Sequence, residues 1–131
     1  MSKDLVFDMA HFHKYYGLTE VFENMDEEKR KVFLKFRADC VQEEVDELQE
    51  AIENNDAEEV VDALIDVTVF ALGTLDAYGV DAQKAWDEVL VANLGKKVGI
   101  KEGRPNPFGL PDLLKPEGWT APSHEGNHGR L

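Results

Sequence analysis

The chain has 131 residues and a formal net charge of −13, because 27 Asp and Glu outnumber 14 Lys and Arg. This length allows one domain with one core, and a hydrophobic content of 43% excludes a wholly disordered chain. The acidic balance argues against a nucleic-acid backbone as partner and leaves metal cations or a basic protein. With one cysteine, no signal peptide and no membrane-spanning segment expected, we predict a cytoplasmic protein.

Glycine and proline divide the chain into a predicted helical domain and a predicted C-terminal arm. All five prolines lie after residue 104, and six of the ten glycines lie after residue 98. Because both residue types disfavour helix interiors, residues 1–98 are predicted to be helical and residues 99–131 to form an extended arm. The arm contains large apolar side chains, so we expect it to pack on the helices or on a neighbouring subunit.

Four helices are predicted in residues 1–98. Asp56 is a favourable N-cap, and Glu59 follows three residues later, as a capping box requires. No segment alternates with period two, so we expect essentially no sheet. The predicted fold class is therefore all-α, a four-helix antiparallel bundle with an extended C-terminal arm. The predicted helices cover about residues 4–16 (stopping at Gly17), Asp26 to about residue 53, Asp56 to Gly79, and Asp81 to near Gly99.

Residues 39–66 contain twelve Asp or Glu and no Lys or Arg. On a helical wheel, most acids of the second predicted helix, among them Glu43 and Asp46, lie opposite its apolar stripe and are expected to be solvated. Glu44 and Glu47 instead border the packed face.

The third predicted helix is apolar nearly all round from Val60 to Leu75, a pattern typical of a buried helix. Asp62 and Asp66 nevertheless lie within it, four residues apart, with Glu59 one turn earlier. Since buried carboxylates are normally paired or bind metal, we predict that both meet Glu44 and Glu47 around one or two divalent cations. Oxygen ligands suit Mg²⁺ or Mn²⁺. The alternative is that Asp62 and Asp66 pair with basic residues such as Arg37 or Lys96.

A polar and basic segment closes the fourth predicted helix. Asn93, Lys96 and Lys97 either satisfy the helix C-terminus or hold phosphates. The segment from His124 to His128 spells a zinc-peptidase motif, but Gly126 argues against the helix that this motif requires.

Three motifs follow one another along the chain: Glu43-Glu44-Val45-Asp46-Glu47, then Asp62-Ala-Leu-Ile-Asp66 through Gly79-Val-Asp81, then Asn93 to Lys96. In this order they resemble the MazG-like all-α NTP pyrophosphohydrolases, which include phosphoribosyl-ATP pyrophosphohydrolase and the all-α dUTPases. The family's second motif is Glu-x-x-Asp, and here its Glu position falls on Ala63, so either Asp62 replaces it or the motif is Glu59-Val-Val-Asp62. The segments Phe12-His13-Lys14-Tyr15-Tyr16-Gly17 and Lys115-Pro-Glu-Gly-Trp119 are similar to a bacterial and phage subgroup.

This resemblance implies hydrolysis of a nucleoside triphosphate to a monophosphate and pyrophosphate, by a homodimer or homotetramer. It implies Mg²⁺ as cofactor, with Mn²⁺ also supporting activity, and Glu43 or Glu47 as acceptor of the water's proton. The implied metal ligands are Glu44, Glu47, Asp62 and Asp66, with Glu59 as a further possibility. The implied phosphate-binding residues are Asn93, Lys96 and Lys97, and the implied base-binding residues are Phe12, His13, Tyr16 and Trp119.

The substrate expected from the subgroup resemblance is a deoxynucleotide, with a purine such as dGTP favoured. The location would be a host cytoplasm if the chain is phage-encoded. Two alternatives stay open at this point. One is a phosphoribosyl-ATP pyrophosphohydrolase, and the other is a non-enzymatic acidic helical module that presents exposed acids and needs no metal.

Overall fold

The computed structural model describes residues 3–103 and 107–131. The chain divides into a first unit, Met1–Ala82 with Gly126–Leu131, and a second unit, Gln83–Glu125. The predicted all-α class is confirmed, since the regular structure described is almost entirely helical. The elements are α1 (Leu5–Tyr15), α2 (Leu18–Glu23), α3 (Glu27–Glu53), α4 (Ala57–Ala77), α5 (Ala82–Leu94), β1 (Lys97–Gly99) and β2 (Asp112–Leu114).

Aspartate side chains start α1, α3 and α4. Asp4, Asp26 and Asp56 each accept a hydrogen bond from the backbone N–H three residues later, at 3.0, 2.8 and 3.1 Å. Each bond satisfies an N–H that has no partner within the helix. Gly79, with φ of 71°, follows the C-cap of α4 in the left-handed conformation that glycine adopts most easily. The predicted caps of the two long helices are thus confirmed.

Two short features differ from the prediction. Gly17 ends α1 as expected, but six further residues form α2, which is too short for a helical period to be recognised. The last helix ends at Leu94 rather than near Gly99, because β1 pairs antiparallel with β2. A Cβ at Gly99 would lie 2.2 Å from Leu114 Cδ1, so the pairing depends on a glycine there.

Among the described elements, α3 and α4 pack against each other most extensively, and the turn at residues 54–56 joins them. The turn folds α4 back along α3, so that Phe33 near the start of α3 stacks at a tilt on Tyr78 just after α4. The Tyr78 hydroxyl donates a hydrogen bond to the carbonyl of Arg30, and burial raises the pKa of this phenol. Phe22 of α2 completes the buried cluster.

The last six residues of the chain, here named the C-terminal clasp (126–131), lie against the end of α4. The buried Asn127 side chain accepts the Asp81 N–H at 2.8 Å and donates to the Asp81 carbonyl at 2.9 Å. The Arg130 N–H donates to the Tyr78 carbonyl at 2.7 Å, and its Nη2 donates to the Ala77 carbonyl at 2.6 Å. The clasp therefore satisfies carbonyls that a helix C-terminus leaves open.

One face of α4 is more exposed than the sequence pattern suggests. Val61, Leu64 and Ile65 are 63%, 50% and 57% exposed in the single chain. The expectation of a helix buried on all sides is thus not met within one chain. No helix in the described ranges has both the length and the apolar content needed to cross a membrane.

Candidate active site

Glu44 is the acidic residue of α3 whose surroundings are least like bulk water. Its side chain is half-buried, and Oε2 is buried without a hydrogen-bond partner. Burial raises the pKa of this carboxyl, and the nearby charges of Glu47, Asp66 and Asp62 raise it further. The field at Glu44 is thus set by the same carboxylates that the helical wheel directs toward the α3–α4 interface.

The acids of α4 are more exposed than predicted. Asp66 is half-buried, whereas Asp62 is exposed, as are Glu43 and Glu47 on α3. None of the ion pairs formed by the described residues includes Asp62 or Asp66. Arg37, which the sequence offered as a partner, lies over the rings of Phe33 and Phe70 instead.

Glu59 has a simpler setting than the sequence suggested. Its backbone N–H reaches the Asp56 side chain, as a cap requires. In a capping box, the Glu59 side chain would also accept a hydrogen bond from the Asp56 N–H. Here that N–H instead donates to the Ala51 carbonyl at 2.9 Å. The exposed Glu59 carboxylate is therefore not needed to close the cap.

The carboxylate oxygens of these four acids are suitable ligands for a hard divalent cation, although the side chains are not arranged around a common point. Within the described part of the chain, no three carboxylate, imidazole or thiolate groups converge closely enough to hold a metal ion. Four oxygen-bearing acids nevertheless share one electrostatic field, and one of their oxygens is buried without a partner. A cation among them would remove both the repulsion and the unsatisfied oxygen.

The predicted phosphate-binding residues belong to the second unit. The Lys96 N–H donates to the Asn93 carbonyl at 3.2 Å, and Lys97 opens strand β1. The Nζ atoms of Lys96 and Lys115 lie 5.7 and 4.9 Å from the ring centroid of Trp119, within the range of cation–π contacts.

Trp119 also helps to form a cavity within the second unit. Its Nε1–H donates to the Ala92 carbonyl at 2.7 Å, which fixes the indole against the end of α5. The adjoining cavity has a volume of about 400 Å³ and is lined by Glu88, Val91 and Ala92 of α5, by Gly95 and by residues 116–122. Ammonium groups, an indole and a cavity thus occur together within this unit.

The predicted base-binding residues of α1 and its C-cap, Tyr16, fall into two groups. Phe12 and Tyr16 are exposed, with ring centroids 5.1 Å apart, and are accessible for stacking. His13 is only 2% exposed, and its Nδ1 lies 2.6 Å from Asp76 Oδ2. The imidazole is thus a core group that joins α1 to α4, and the assignment of His13 to base binding stays a prediction.

A family model described as phosphoribosyl-ATP pyrophosphohydrolase matches residues 17–93, more than half of the chain. The chain belongs to this family. It is accordingly an enzyme, a pyrophosphohydrolase that acts on phosphoanhydride bonds, and the resemblance to the MazG-like all-α enzymes is confirmed. The non-enzymatic alternative is thereby excluded. A comparison with curated proteins finds no match for the chain.

The match to the phosphoribosyl-ATP pyrophosphohydrolase family covers some predicted site residues and not others. It includes all the predicted acids, from Glu43 to Asp66, and ends at Asn93. Enzymes of this family generally depend on divalent metal ions. Lys96, Lys97 and Trp119 lie beyond the match, and Phe12 and Tyr16 precede it.

Proposed function

We propose that this member of the family is a divalent-metal-dependent nucleoside triphosphate pyrophosphohydrolase, which converts a (d)NTP and water into a (d)NMP and pyrophosphate. The observation that carries the proposal is the buried, unpartnered Glu44 Oε2 in the combined field of Glu47, Asp62 and Asp66. Such an arrangement is unfavourable for a protein alone and favourable for one that binds cations. The family assignment supplies the reaction class.

The metal-binding residues in this proposal are Glu44, Glu47, Asp62 and Asp66, with Glu59 as a further ligand. Mg²⁺ is the proposed ion, with Mn²⁺ as an effective substitute, since all the donors are carboxylate oxygens. When bound, the ion would neutralise phosphate charge and favour attack by water at the α-phosphorus. A bound cation would favour the deprotonated form of Glu44, whose pKa is raised in the metal-free protein.

Other residues of the chain handle protons, phosphates and the base. Glu43 or Glu47, both exposed carboxylates on α3, accepts the proton of the attacking water at a side-chain oxygen. Asn93, Lys96 and Lys97 hold the phosphates as amide and ammonium donors. Phe12, Tyr16 and Trp119 provide aromatic faces for the base.

The preferred substrate in this proposal is a deoxynucleotide, with dGTP ahead of the other bases. This preference follows the bacterial and phage subgroup that the opening and closing motifs resemble. The proposed location is the cytoplasm, or the host cytoplasm for a phage-encoded chain.

We also propose that the chain acts as a homodimer or homotetramer. The support is the exposed apolar face of α4, formed by Val61, Leu64 and Ile65 on the helix that carries Asp62 and Asp66. Exposed apolar groups at helical spacing are common at subunit interfaces. Analytical ultracentrifugation tests this: a chain that sediments as a monomer at micromolar concentration would contradict it.

The test of function is a panel of the common NTPs and dNTPs with Mg²⁺, Mn²⁺ or EDTA, read by release of pyrophosphate and monophosphate. We expect turnover with either metal, none with EDTA, and the highest kcat/KM for dGTP. Absence of turnover for every nucleotide, with no effect of metal on thermal stability, would refute the proposal.

The substitution Asp66→Asn tests the placement of the site. It is expected to lower kcat/KM roughly 100-fold or more, because a neutral amide is a poor ligand for Mg²⁺. The matched control is Asp46→Asn, since Asp46 is exposed and only accepts a hydrogen bond from Gln42 at 3.0 Å. Equal activities of the two variants would show that the site lies elsewhere.

A second substrate, phosphoribosyl-ATP, is favoured by the family model that matches the chain. It shares the triphosphate and the scissile bond but adds a second ribose phosphate, so the same metal-binding residues would act on it. Including it in the panel separates the two possibilities, because a phosphoribosyl-ATP enzyme would prefer it strongly over every dNTP.

A further inference from the structure

Arg37 of α3 is a partly buried cation without an anionic partner. None of the hydrogen bonds or ion pairs among the described residues includes its side chain, and its Nε is buried with no acceptor. Its Cζ lies 4.9 Å from the ring centroid of Phe33 and 5.4 Å from that of Phe70. The two rings hold the guanidinium but give its Nε–H no acceptor.

The surroundings of Arg37 are unfavourable for a charged group in the free protein. Burial lowers the pKa of the guanidinium, whereas the neighbouring Cys40 and Tyr78 act to raise it. Arginine stays protonated in proteins, so the charge persists, and no anion among the described residues offsets its loss of hydration. Two other cations of α3 have anionic partners, since Lys31 pairs with Glu27, and Lys35 with Asp39 at 2.6 Å.

The position of Arg37 relates it to the acids of the proposed site. It precedes Glu44 by seven residues, about two turns, so both face nearly the same side of α3 and lie ~10 Å apart along the axis. On α4, Phe70 lies one turn beyond Asp66 and so shares its face. Arg37 therefore lies on the same α3–α4 interface as the acids, two turns along α3.

A polyanionic substrate approaching four carboxylates requires positive charge from the protein as well as from metal ions. Helix α4 contains no Lys or Arg, so it cannot supply that charge. A planar guanidinium with free donors is suited to phosphate oxygens, which it binds with two parallel hydrogen bonds.

We propose that Arg37 is a phosphate-binding residue that holds the terminal phosphates of the nucleotide, the part that leaves as pyrophosphate. This inference rests on the proposed function and adds a substrate-binding residue to it. Phe33 and Phe70 hold the guanidinium in place through their ring faces, so that little side-chain freedom is lost on binding.

The experiment measures binding of inorganic pyrophosphate with Mg²⁺ by isothermal titration calorimetry, alongside binding of dGMP, which lacks the terminal phosphates. Arg37→Met keeps an apolar contact with both rings and removes the charge. We expect it to weaken pyrophosphate binding roughly 10- to 100-fold, the loss typical of a charge-assisted hydrogen bond, and to change dGMP binding less than about twofold. The control is Lys35→Met, which removes an exposed charge from the same helix and should change neither affinity.

Arg37→Lys keeps the charge but not the paired donors, and is expected to weaken pyrophosphate binding by an intermediate factor. If Arg37→Met shows no thermal unfolding transition and is therefore not folded, the pyrophosphate affinity of Arg37→Lys serves as the test instead. Unchanged pyrophosphate affinity in the folded variants, or equal loss for pyrophosphate and dGMP, would overturn the inference. Turnover by the wild-type protein is measured separately, so failure of the proposed function is distinguishable from failure of the role of Arg37.

Discussion

The buried contact between His13 and Asp76 allows a quantitative test of how α1 is held on α4. The substitution Asp76→Ala removes the acceptor that lies 2.6 Å from Nδ1 and leaves the 2%-exposed imidazole in place. Asp76→Asn keeps the shape and an amide oxygen that can still accept the bond. Asp76→Ala therefore removes the hydrogen bond completely, whereas Asp76→Asn only weakens it.

The magnitude follows from the burial of the two partners. A buried donor left without an acceptor costs about 1–3 kcal/mol. Because the Asp76 side chain is 27% exposed, water can replace part of the lost bond, which places Asp76→Ala at about 1–2 kcal/mol. For a chain of this size that corresponds to a fall in Tm of about 4–8 °C. Asp76→Asn is expected to cost about half as much, since a neutral hydrogen bond remains.

The assay is urea unfolding followed by circular dichroism, with thermal melting as a second measure. The matched control is Asp39→Ala, which removes an acceptor at the same 2.6 Å distance from Lys35 but in an exposed pair. Exposed pairs contribute little, so we expect less than about 0.5 kcal/mol from the control. If Asp76→Ala costs no more than Asp39→Ala, the buried imidazole does not depend on its carboxylate and the reasoning is wrong.

The same variants test whether His13 has a part in substrate binding. A core role predicts that KM for the best nucleotide stays within about twofold of wild type at a temperature where the variants are folded. A selective rise in KM, with stability unchanged, would instead return His13 to the site.

Two further predictions concern the acids and the C-terminal clasp. The folded protein raises the pKa of Glu44 above its ordinary value of 4.5. Between these two pKa values the folded state binds more protons than the unfolded chain. The free energy of unfolding of the metal-free protein therefore falls as pH rises from 4.5 through the raised pKa. Glu44→Gln should flatten this fall in urea unfolding at different pH values, raise metal-free stability at neutral pH and abolish stabilisation by Mg²⁺; a lower metal-free stability would contradict the repulsion. Gly129→Ala would place a Cβ 2.0 Å from the Tyr78 carbonyl oxygen, at a residue whose φ is 55°. The variant should detach the clasp from the end of α4 and lower the free energy of unfolding by about 1–3 kcal/mol, as measured by thermal unfolding. An unchanged Tm would contradict the observed packing.

The long helices and their ends were predictable because their signals are local. Asp26 and Asp56 cap through bonds that span three residues, and Gly79 ends α4 through its own backbone conformation. Helix α2 and strands β1 and β2 were missed, since six- and three-residue elements show no measurable period. The strand pairing also joins residues that are distant in sequence, such as Lys97 and Leu114.

The candidate site was only partly predictable, because a helical wheel shows which way a side chain faces and not how deeply it is buried. It directed Glu44 toward α4, and the raised pKa of Glu44 agrees with that direction. It could not distinguish a core face from a face left open in one chain, so the exposure of Ile65 and Asp62 was not foreseen. The partners of His13 and Arg37 were equally hidden, because Asp76 and Phe70 belong to another helix.

The paired hydrogen bonds between Asp81 and Asn127 make the second unit an insertion whose entry and exit points are tied together. During synthesis, the carbonyls of Ala77 and Tyr78 receive their hydrogen-bond donors only when residue 130 has been made. The first unit can therefore complete its folding only after the whole second unit has been synthesised. An insertion with joined ends can change in length or sequence without stretching the host fold. Residues 83–125, which carry Asn93, Lys96 and Trp119, are accordingly the part of the chain where new nucleotide preferences could evolve while the acidic helices stay unchanged.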